Sequence, residues 1–168
     1  MDVTIETGLH GSACFEDAKR VRVVVFMEEQ GYENEFDAID EDERCLHVTL
    51  RVDGEVAGCA RLFPELLERS LAPEAPCSPV CALDVHVPAE RVYLLGRVAV
   101  LPAWRRRGLA SEIVRACDAV ARDAGALVMK LHAQEYVQGL YASCGYEAIG
   151  PVDYEDEGQP HIWMARAL

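Results

Sequence analysis

Three consecutive arginines, Arg105 to Arg107, stand directly before Gly108 and a run of residues with helical spacing. Cations there oppose the helix dipole, which attracts negative charge to the start of a helix. Anions bind well at the same position, because the first N–H groups of a helix have no partners within it. Arginine side chains would add charge-assisted hydrogen bonds to phosphate oxygens. The cluster therefore predicts a site for a phosphorylated ligand, and pairing of the arginines with surface carboxylates is the alternative.

The glycine spacing around the arginines excludes the two most familiar nucleotide-binding motifs. Residues 98–114 read VAVLPAWRRRGLASEIV, which contains neither G-x-x-x-x-G-K-[ST] nor G-x-G-x-x-G. The segment therefore supports neither a nucleoside-triphosphate loop nor a dinucleotide-binding fold.

Tyr141 is a candidate for proton transfer. It shares one face of a predicted short helix with Val137, Leu140 and Cys144, which by spacing alone indicates a buried core aromatic. A tyrosine hydroxyl also serves as a general acid when it lies within hydrogen-bond reach of a leaving group.

The cysteines do not form a recognisable metal or redox motif. No two have C-x-x-C spacing, and the pair at 77 and 81 has no second pair to complete a zinc site. We predict reduced structural thiols and no metal, and a thiol-based redox protein is disfavoured. The seven are Cys14, Cys45, Cys59, Cys77, Cys81, Cys117 and Cys144.

The charge balance limits the partners. The 168 residues include 29 Asp and Glu against 16 Lys and Arg, a net charge of −13. Nucleic acids and anionic membranes both require basic surfaces, so neither is an expected partner. The N-terminus has no secretory signal and no apolar run reaches membrane-spanning length, so we expect a cytoplasmic protein.

Residues 28–43 hold the densest acidic run. The pattern is typical of a solvated loop, although it could also attract a cationic amine to a nearby pocket.

The remaining pattern predicts the elements that position these residues. Apolar spacing indicates a helix after Ser12, Asp53-Gly54 indicates a hairpin, and the proline-rich residues 64–90 indicate an irregular insertion with a short helix near ELLERSL. Further predicted elements are a strand at 92–100, a helix from Gly108 to a cap at Gly125, a strand at 126–133, the short helix closed by Gly145, and strands at 146–152 and 160–167 around an acidic turn at 153–158. The order predicts an α/β (α+β) fold with a mixed sheet, a parallel strand pair and helices on both faces.

Two segments in combination carry a family resemblance. RRRGLA after VAVLPAW resembles the R/Q-x-x-G-x-G/A loop of the GNAT superfamily of coenzyme A-dependent N-acetyltransferases, and LYASCGY resembles its FYxxxGF segment. RVVVFMEEQGY, EFDAIDEDE, LHAQ and PHIWM further resemble the ElaA-like branch. The resemblance implies a GNAT-like, mostly antiparallel central sheet with a splayed parallel strand pair. It also implies one acetyltransferase domain over 1–168, with an insertion at about 64–90.

The resemblance also implies roles for individual residues. The strand before the loop would bind the pantetheine arm of acetyl-CoA, the loop amides would bind its pyrophosphate, and Tyr141 would protonate the departing thiolate. Glu28, Glu29 and Gln30 match the branch and are candidate acceptor-binding residues. The expected acetyl-CoA contacts are Val98, Ala99, Val100, Arg105, Arg106, Arg107, Gly108, Leu109, Ala110, Ser111 and Gln134.

The sequence departs from the family pattern at the expected general base, because strand 92–100 contains no acid where many members place a glutamate. Glu28, Glu29, His47 and His132 are the substitutes left open. We expect an N-acetyltransferase that acts on a small-molecule or protein amine in a ternary complex, with the final strands available for a homodimer. The alternative is a catalytically weak or inactive acyl-CoA-binding or regulatory module that acts through its acidic surface.

Overall fold

Eight strands and four α-helices make up the computed structural model, which describes residues 1–168. The strands are β1 (Val3–Gly8), β2 (Leu46–Val52), β3 (Glu55–Pro64), β4 (Val92–Val100), β5 (Val128–Gln134), β6 (Glu147–Ala148), β7 (Asp153–Asp156) and β8 (Gln159–Ala167). The helices are α1 (Ala13–Arg22), α2 (Leu66–Leu71), α3 (Leu109–Asp123) and α4 (Gln138–Ser143).

The strands form one mixed sheet in the order β1-β2-β3-β4-β5-β8-β6, with β7 also paired to β8. Only β4 and β5 run parallel, and α3 connects them, as the strand–helix–strand pattern predicts. The hairpin at Asp53-Gly54 joins β2 to β3, and both turn residues have positive φ. The predicted mixed sheet with a single parallel pair is confirmed.

The helices cover both faces of the sheet. On one face α3 and α4 pack in the main core, where Ile113 and Tyr141 join Leu62 and Met129. On the other face α1 packs against Cys59, and Leu67 of α2 packs against Phe63. Successive strand residues point to opposite faces, which is why the neighbouring residues Leu62 and Phe63 of β3 pack against different helices.

The first helix changes its winding before it ends. Ser12 caps α1 by accepting a hydrogen bond from the Phe15 N–H, as its position predicts. The chain then continues as a π-helix over Val23–Glu29, and the Gln30 N–H bonds the Val25 carbonyl five residues back. Such wide turns are rare and often lie at functional sites.

The insertion after β3 contains the predicted short helix, α2, and little other regular structure. Its loop is fastened to the sheet by the fully buried Lys130 of β5, whose ammonium group bonds the Pro79 carbonyl at 2.9 Å and also pairs with Glu65 and Asp84.

The structure contains one strand that the sequence analysis missed, and it corrects two expectations in part. Residues 3–8 form an edge strand, β1, that the sequence pattern did not predict. The acidic turn at 153–158 contains the strand β7, whereas the strand expected at 146–152 shortens to the two residues of β6. The run at 28–43 is not uniformly solvated, because Glu35 and Asp40 are buried.

Candidate active site

A cleft opens where β4 and β5 separate. The two strands pair only from Val92–Val128 to Leu95–Leu131, while β4 stays bonded to β3 as far as Val100. We call this the β4–β5 cleft, bounded by residues 96–100 of β4 and 132–134 of β5. Its edges carry backbone groups that no neighbouring strand satisfies, so they are free to bind an extended ligand.

A β-bulge bends β4 at the start of the cleft. One extra residue of β4 lies between the partners of Cys59 and Arg61, and Arg97 there has a φ of 54°. Bulges bend a strand and disrupt its pairing, which accounts for the divergence from β5. A Cβ atom added to Gly96 would meet no atom within 4 Å, so the space at this residue is open.

The wide end of the cleft leads to the start of α3. Arg106 and Gly108 have positive φ values of 64° and 75°, and no side chain caps the helix. Consecutive backbone N–H groups in such a turn form an anion-binding concavity, and the helix dipole adds to it. The loop residues expected to bind pyrophosphate, 106–111, lie here.

The three arginines have different partners. Arg105 pairs with Glu29 through two hydrogen bonds of 2.6 and 2.7 Å and donates from Nε to the Val100 carbonyl at 2.9 Å. Arg107 lies over the Trp104 ring at 4.9 Å from its centroid, and Arg106 is exposed. Pairing with a surface carboxylate, the alternative to ligand binding, therefore applies to Arg105 alone. The Val100 carbonyl, which was expected to contact acetyl-CoA, already accepts a hydrogen bond from Arg105.

The end of the π-helical segment spans the open cleft. Glu29 reaches Arg105 on the β4 side, whereas Gln30 accepts a hydrogen bond of 2.9 Å from the Gln134 amide on the β5 side. Gln134 also donates to the Tyr32 hydroxyl at 3.3 Å. Of the three acceptor-binding candidates, only Glu28 is free of these contacts.

Tyr141 lies in the main core, with 8% of its surface exposed. Burial raises the pKa of its hydroxyl, which keeps the group protonated across the neutral range. The hydroxyl makes no hydrogen bond within the protein, and it is not among the buried polar atoms that lack a partner, so water or a ligand can reach it. An unpartnered donor of this kind is suited to a group that develops charge during a reaction.

The structure separates the four substitutes for the general base. Glu29 is held by Arg105, and Glu28 is exposed. His47 is fully buried on β2, two strands away from β4 on the side opposite β5, and its Nε2 lies 3.0 Å from the Asp40 carbonyl. His132 is the first residue of β5 beyond the last pair with β4.

A buried ionic network underlies the acidic run, and sequence reasoning missed it. Arg22, Arg61 and Arg97 pair with three carboxylates of that run, which are Glu35, Asp37 and Asp40. Burial opposes ionisation of Asp37 and Asp40, but hydrogen bonds and charges from the arginines outweigh it and hold both pKa values below their usual range. The signal available in the sequence was Arg22, which falls on the otherwise apolar face of α1.

The only three side chains positioned to share a metal ion are Asp40, Cys45 and His47. Arg22 and Arg61 already bond the Asp40 carboxylate, and burial raises the pKa of Cys45 to about 12. Two adjacent guanidinium groups and a protonated thiol oppose cation binding, so this cluster is better explained as part of the ionic network.

Comparison with known proteins identifies the family of the chain and agrees with the fold. The sequence profile described as the acetyltransferase (GNAT) family matches residues 12–146, and the chain belongs to that family. The family consists of acyl-CoA-dependent acyltransferases, and the resemblance found in the sequence is confirmed.

Individual relatives extend the match over nearly the whole chain. The protein YyaT of Bacillus subtilis is 27% identical over 169 residues, covering 99% of this chain and 93% of YyaT. The crystal structure of Escherichia coli ElaA has a TM-score of 0.73 at 21% identity, covering 98% of this chain and 99% of ElaA. An acyl-CoA N-acyltransferase from Pseudomonas aeruginosa has a TM-score of 0.74 at 23% identity, covering 99% and 100%. At these identities the two structures show a shared fold.

None of the helices combines the length and the apolar character needed to cross a membrane.

Proposed function

We propose that the protein transfers an acetyl group from acetyl-CoA to a primary amine by direct attack in a ternary complex. The observation that carries the proposal is the separation of β4 from β5 after Leu95 and Leu131, in a cleft that leads to the uncapped start of α3. An extended arm with a pyrophosphate at one end matches that combination of unpaired strand edges and an anion-binding turn.

The chain's own groups suit each part of acetyl-CoA. Backbone groups of Val98, Ala99 and Val100 would bond the pantetheine arm, except for the Val100 carbonyl, which Arg105 occupies. The amides of residues 106–111 would bond the pyrophosphate. Gln134 would contact the arm from the opposite side of the cleft.

The reaction needs few protein groups. The neutral amine nitrogen attacks the thioester carbon, the C–N bond forms as the C–S bond breaks, and the thiolate takes the proton of Tyr141. The surplus proton of the nitrogen then restores Tyr141. A backbone N–H on the bent part of β4 would stabilise the charge on the carbonyl oxygen. Holding both substrates together supplies much of the rate without a covalent enzyme intermediate.

The acceptor is assigned only as an amine, on a small molecule or a protein. The net charge of −13 attracts a cationic ammonium group. Glu28, Glu29 and Gln30 lie on the segment that spans the cleft, so they are the proposed acceptor contacts.

Calorimetric titration of acetyl-CoA into the reduced protein tests the proposal, with ATP and NADH titrated separately as controls. Saturable binding of acetyl-CoA alone is the expected result. Arg105→Ala should weaken that binding, because it removes a charge beside the pyrophosphate turn. Arg122→Ala removes the same charge from the other end of α3 and should leave binding unchanged. No binding by folded protein would contradict the proposal.

A second candidate is an acyl-CoA-binding or regulatory module with little or no activity. It is favoured by one observation, the lack of any acid on β4. The two functions differ in turnover: a module of this kind binds acetyl-CoA in the titration but releases no coenzyme A with any amine of a broad panel.

A further inference from the structure

His132 stands at the narrow end of the cleft. Leu95 and Leu131 form the last pair of β4 with β5, and His132 follows directly, at the level of Gly96 on β4. The space at Gly96 is open. Because the proposed pyrophosphate site lies at the wide end, the thioester at the other end of the pantetheine arm would approach this narrow end.

A carboxylate orients the imidazole. His132 Nε2 lies 3.0 Å from both carboxylate oxygens of Asp153, which fixes a proton on Nε2 and leaves the lone pair on Nδ1. Nδ1 makes no hydrogen bond within the protein, and the side chain is 11% exposed. Trp163 stacks on the ring, with centroids 4.4 Å apart, so the orientation is held by packing as well.

Burial keeps the ring neutral in spite of the neighbouring carboxylates. Burial lowers the pKa of His132, against the opposing effect of the Asp153 carboxylate, so the base form is present at neutral pH. On β4, Arg97 is already paired with Glu35. The other titratable groups facing the ring are His161 of β8, at 4.7 Å between ring centroids, and Asp153 and Asp156 of β7.

We propose that the His132–Asp153 pair accepts the proton of the attacking amine, an inference that rests on the proposed function. The substrate ammonium group gives one proton to His132 Nδ1, and the freed lone pair attacks the thioester carbon. The C–N bond forms, the C–S bond breaks, and the thiolate takes the Tyr141 proton. The nitrogen's second proton restores Tyr141, and His132 later releases its proton to water.

Glu68 is the competing proton acceptor. Burial raises its pKa to about 7, so it also exchanges a proton near neutral pH. It lines a cavity of about 150 Å³ in the insertion, together with Glu65 and Ser78, and that cavity includes no residue of the β4–β5 cleft. Position therefore favours His132.

Nitrogen-15 NMR of the histidine side chains tests the pair without any substrate. His132 should be the neutral Nε2–H tautomer at pH 7 and should titrate below the ordinary value of about 6.5. Asp153→Asn should weaken the preference for that tautomer. An Nδ1–H tautomer, or an imidazolium ion that persists at pH 8, would overturn the proposal.

Kinetics with two amines test the role in proton transfer. Benzylamine is protonated at neutral pH and needs a base, whereas aniline is already neutral. His132→Gln should therefore lower kcat/KM for benzylamine by about 10²-fold but change it little for aniline. It should also remove the rise of kcat/KM with pH through the titration of His132. Acetyl-CoA binding, measured by calorimetry, should not change.

Matched variants separate this role from packing. His161→Gln removes the neighbouring imidazole, so the rise of kcat/KM with pH should remain and move only slightly towards higher pH, because His161 contributes to the lowered pKa of His132. Equal loss for both amines in His132→Gln would show a structural role, and loss of the pH dependence in Glu68→Gln instead would assign the base to Glu68. Either result overturns the proposal. Wild-type protein that binds acetyl-CoA but releases no coenzyme A with these two amines or with any other amine of the broad panel would contradict the proposed transfer itself, and the base role with it.

Discussion

Removal of the Tyr141 hydroxyl breaks no hydrogen bond within the folded protein, because no protein group bonds it. Tyr141→Phe should therefore leave the urea midpoint and acetyl-CoA binding unchanged but lower kcat by about 10²-fold, the contribution of a general acid. Steady-state kinetics and urea denaturation measure the two effects.

Tyr146→Phe is the matched control for that variant. Tyr146 donates a hydrogen bond of 2.5 Å to Asp118, and its ring meets Tyr141 edge-on at 6.2 Å. This change should lower stability and keep kcat. Full turnover by Tyr141→Phe at every pH would refute the role of general acid.

The ion pair between Glu29 and Arg105 competes with any phosphate for the same guanidinium group. Glu29→Gln should free Arg105 and tighten acetyl-CoA binding, by at most about fivefold because an exposed pair is weak. Glu33→Gln, in the same acidic run, should have no effect in the same calorimetric titration. If Glu29→Gln instead weakens binding as much as Arg105→Ala, the pair serves to hold the loop in place.

At the scale of elements, α3 offers a test of its two ends. Gly108 before the helix and Gly125 after it both have positive φ, 75° and 95°, and an added Cβ would meet no atom within 4 Å at either. Gly108→Ala and Gly125→Ala should each cost about 1 kcal/mol of unfolding free energy, because L-residues disfavour that conformation. Urea denaturation measures this cost.

Only the first of these changes should affect the ligand. In the proposed complex, a methyl group at Gly108 would stand between the backbone and the pyrophosphate, so acetyl-CoA affinity should fall in Gly108→Ala and stay constant in Gly125→Ala. Equal affinities in the two variants would place the anion site elsewhere.

The π-helical segment shows how an element determines which side chains meet. Its wide turn lets consecutive residues reach opposite sides of the cleft, Glu29 towards Arg105 and Gln30 towards Gln134. The apolar spacing of residues 15–26 predicts the helix but carries no signal of the altered winding, and the partners that Glu29 and Gln30 meet lie 76 and 104 residues further along the chain.

The buried ionic network connects α1, the acidic run and the sheet across the whole molecule. Arg61→Ala leaves Asp37 and Asp40 without their shared partner, which should lower the unfolding free energy at pH 7 by about 3–5 kcal/mol. Arg44→Ala breaks an exposed pair with Asp42 and should produce no measurable change in the urea midpoint.

The same network should make the free energy of unfolding depend on pH in the acidic range. The pKa values of Asp37 and Asp40 lie below the unfolded value of about 3.9, so their contribution is complete above that value and is lost as the pH falls through the folded values. Arg61→Ala should flatten this loss in urea denaturation between pH 5 and 2. An unchanged slope would show that the arginine does not stabilise the carboxylates.

Elements with strong local signals could be predicted. Turn chemistry predicts the Asp53-Gly54 hairpin, and capping predicts the helix start at Ser12. Apolar spacing predicts β4 and α3, which has a glycine at each end. Two strands with weak signals were missed. Four of the six residues of β1 are exposed, and β7 reads DYED, so neither has the apolar alternation that identifies a strand.

The sequence by itself determined the glycine turn before α3, the helix that follows it and the family, because these depend on residues that are close together along the chain. Tertiary structure decided which side chains converge. His132 meets Asp153 across 21 residues, Arg105 meets Glu29 across 76, and Arg97 meets Glu35 across 62. Such contacts depend on strand register, the β4 bulge and burial. Which charges are buried together depends on the folded neighbours of each side chain, and local spacing along the chain does not specify them.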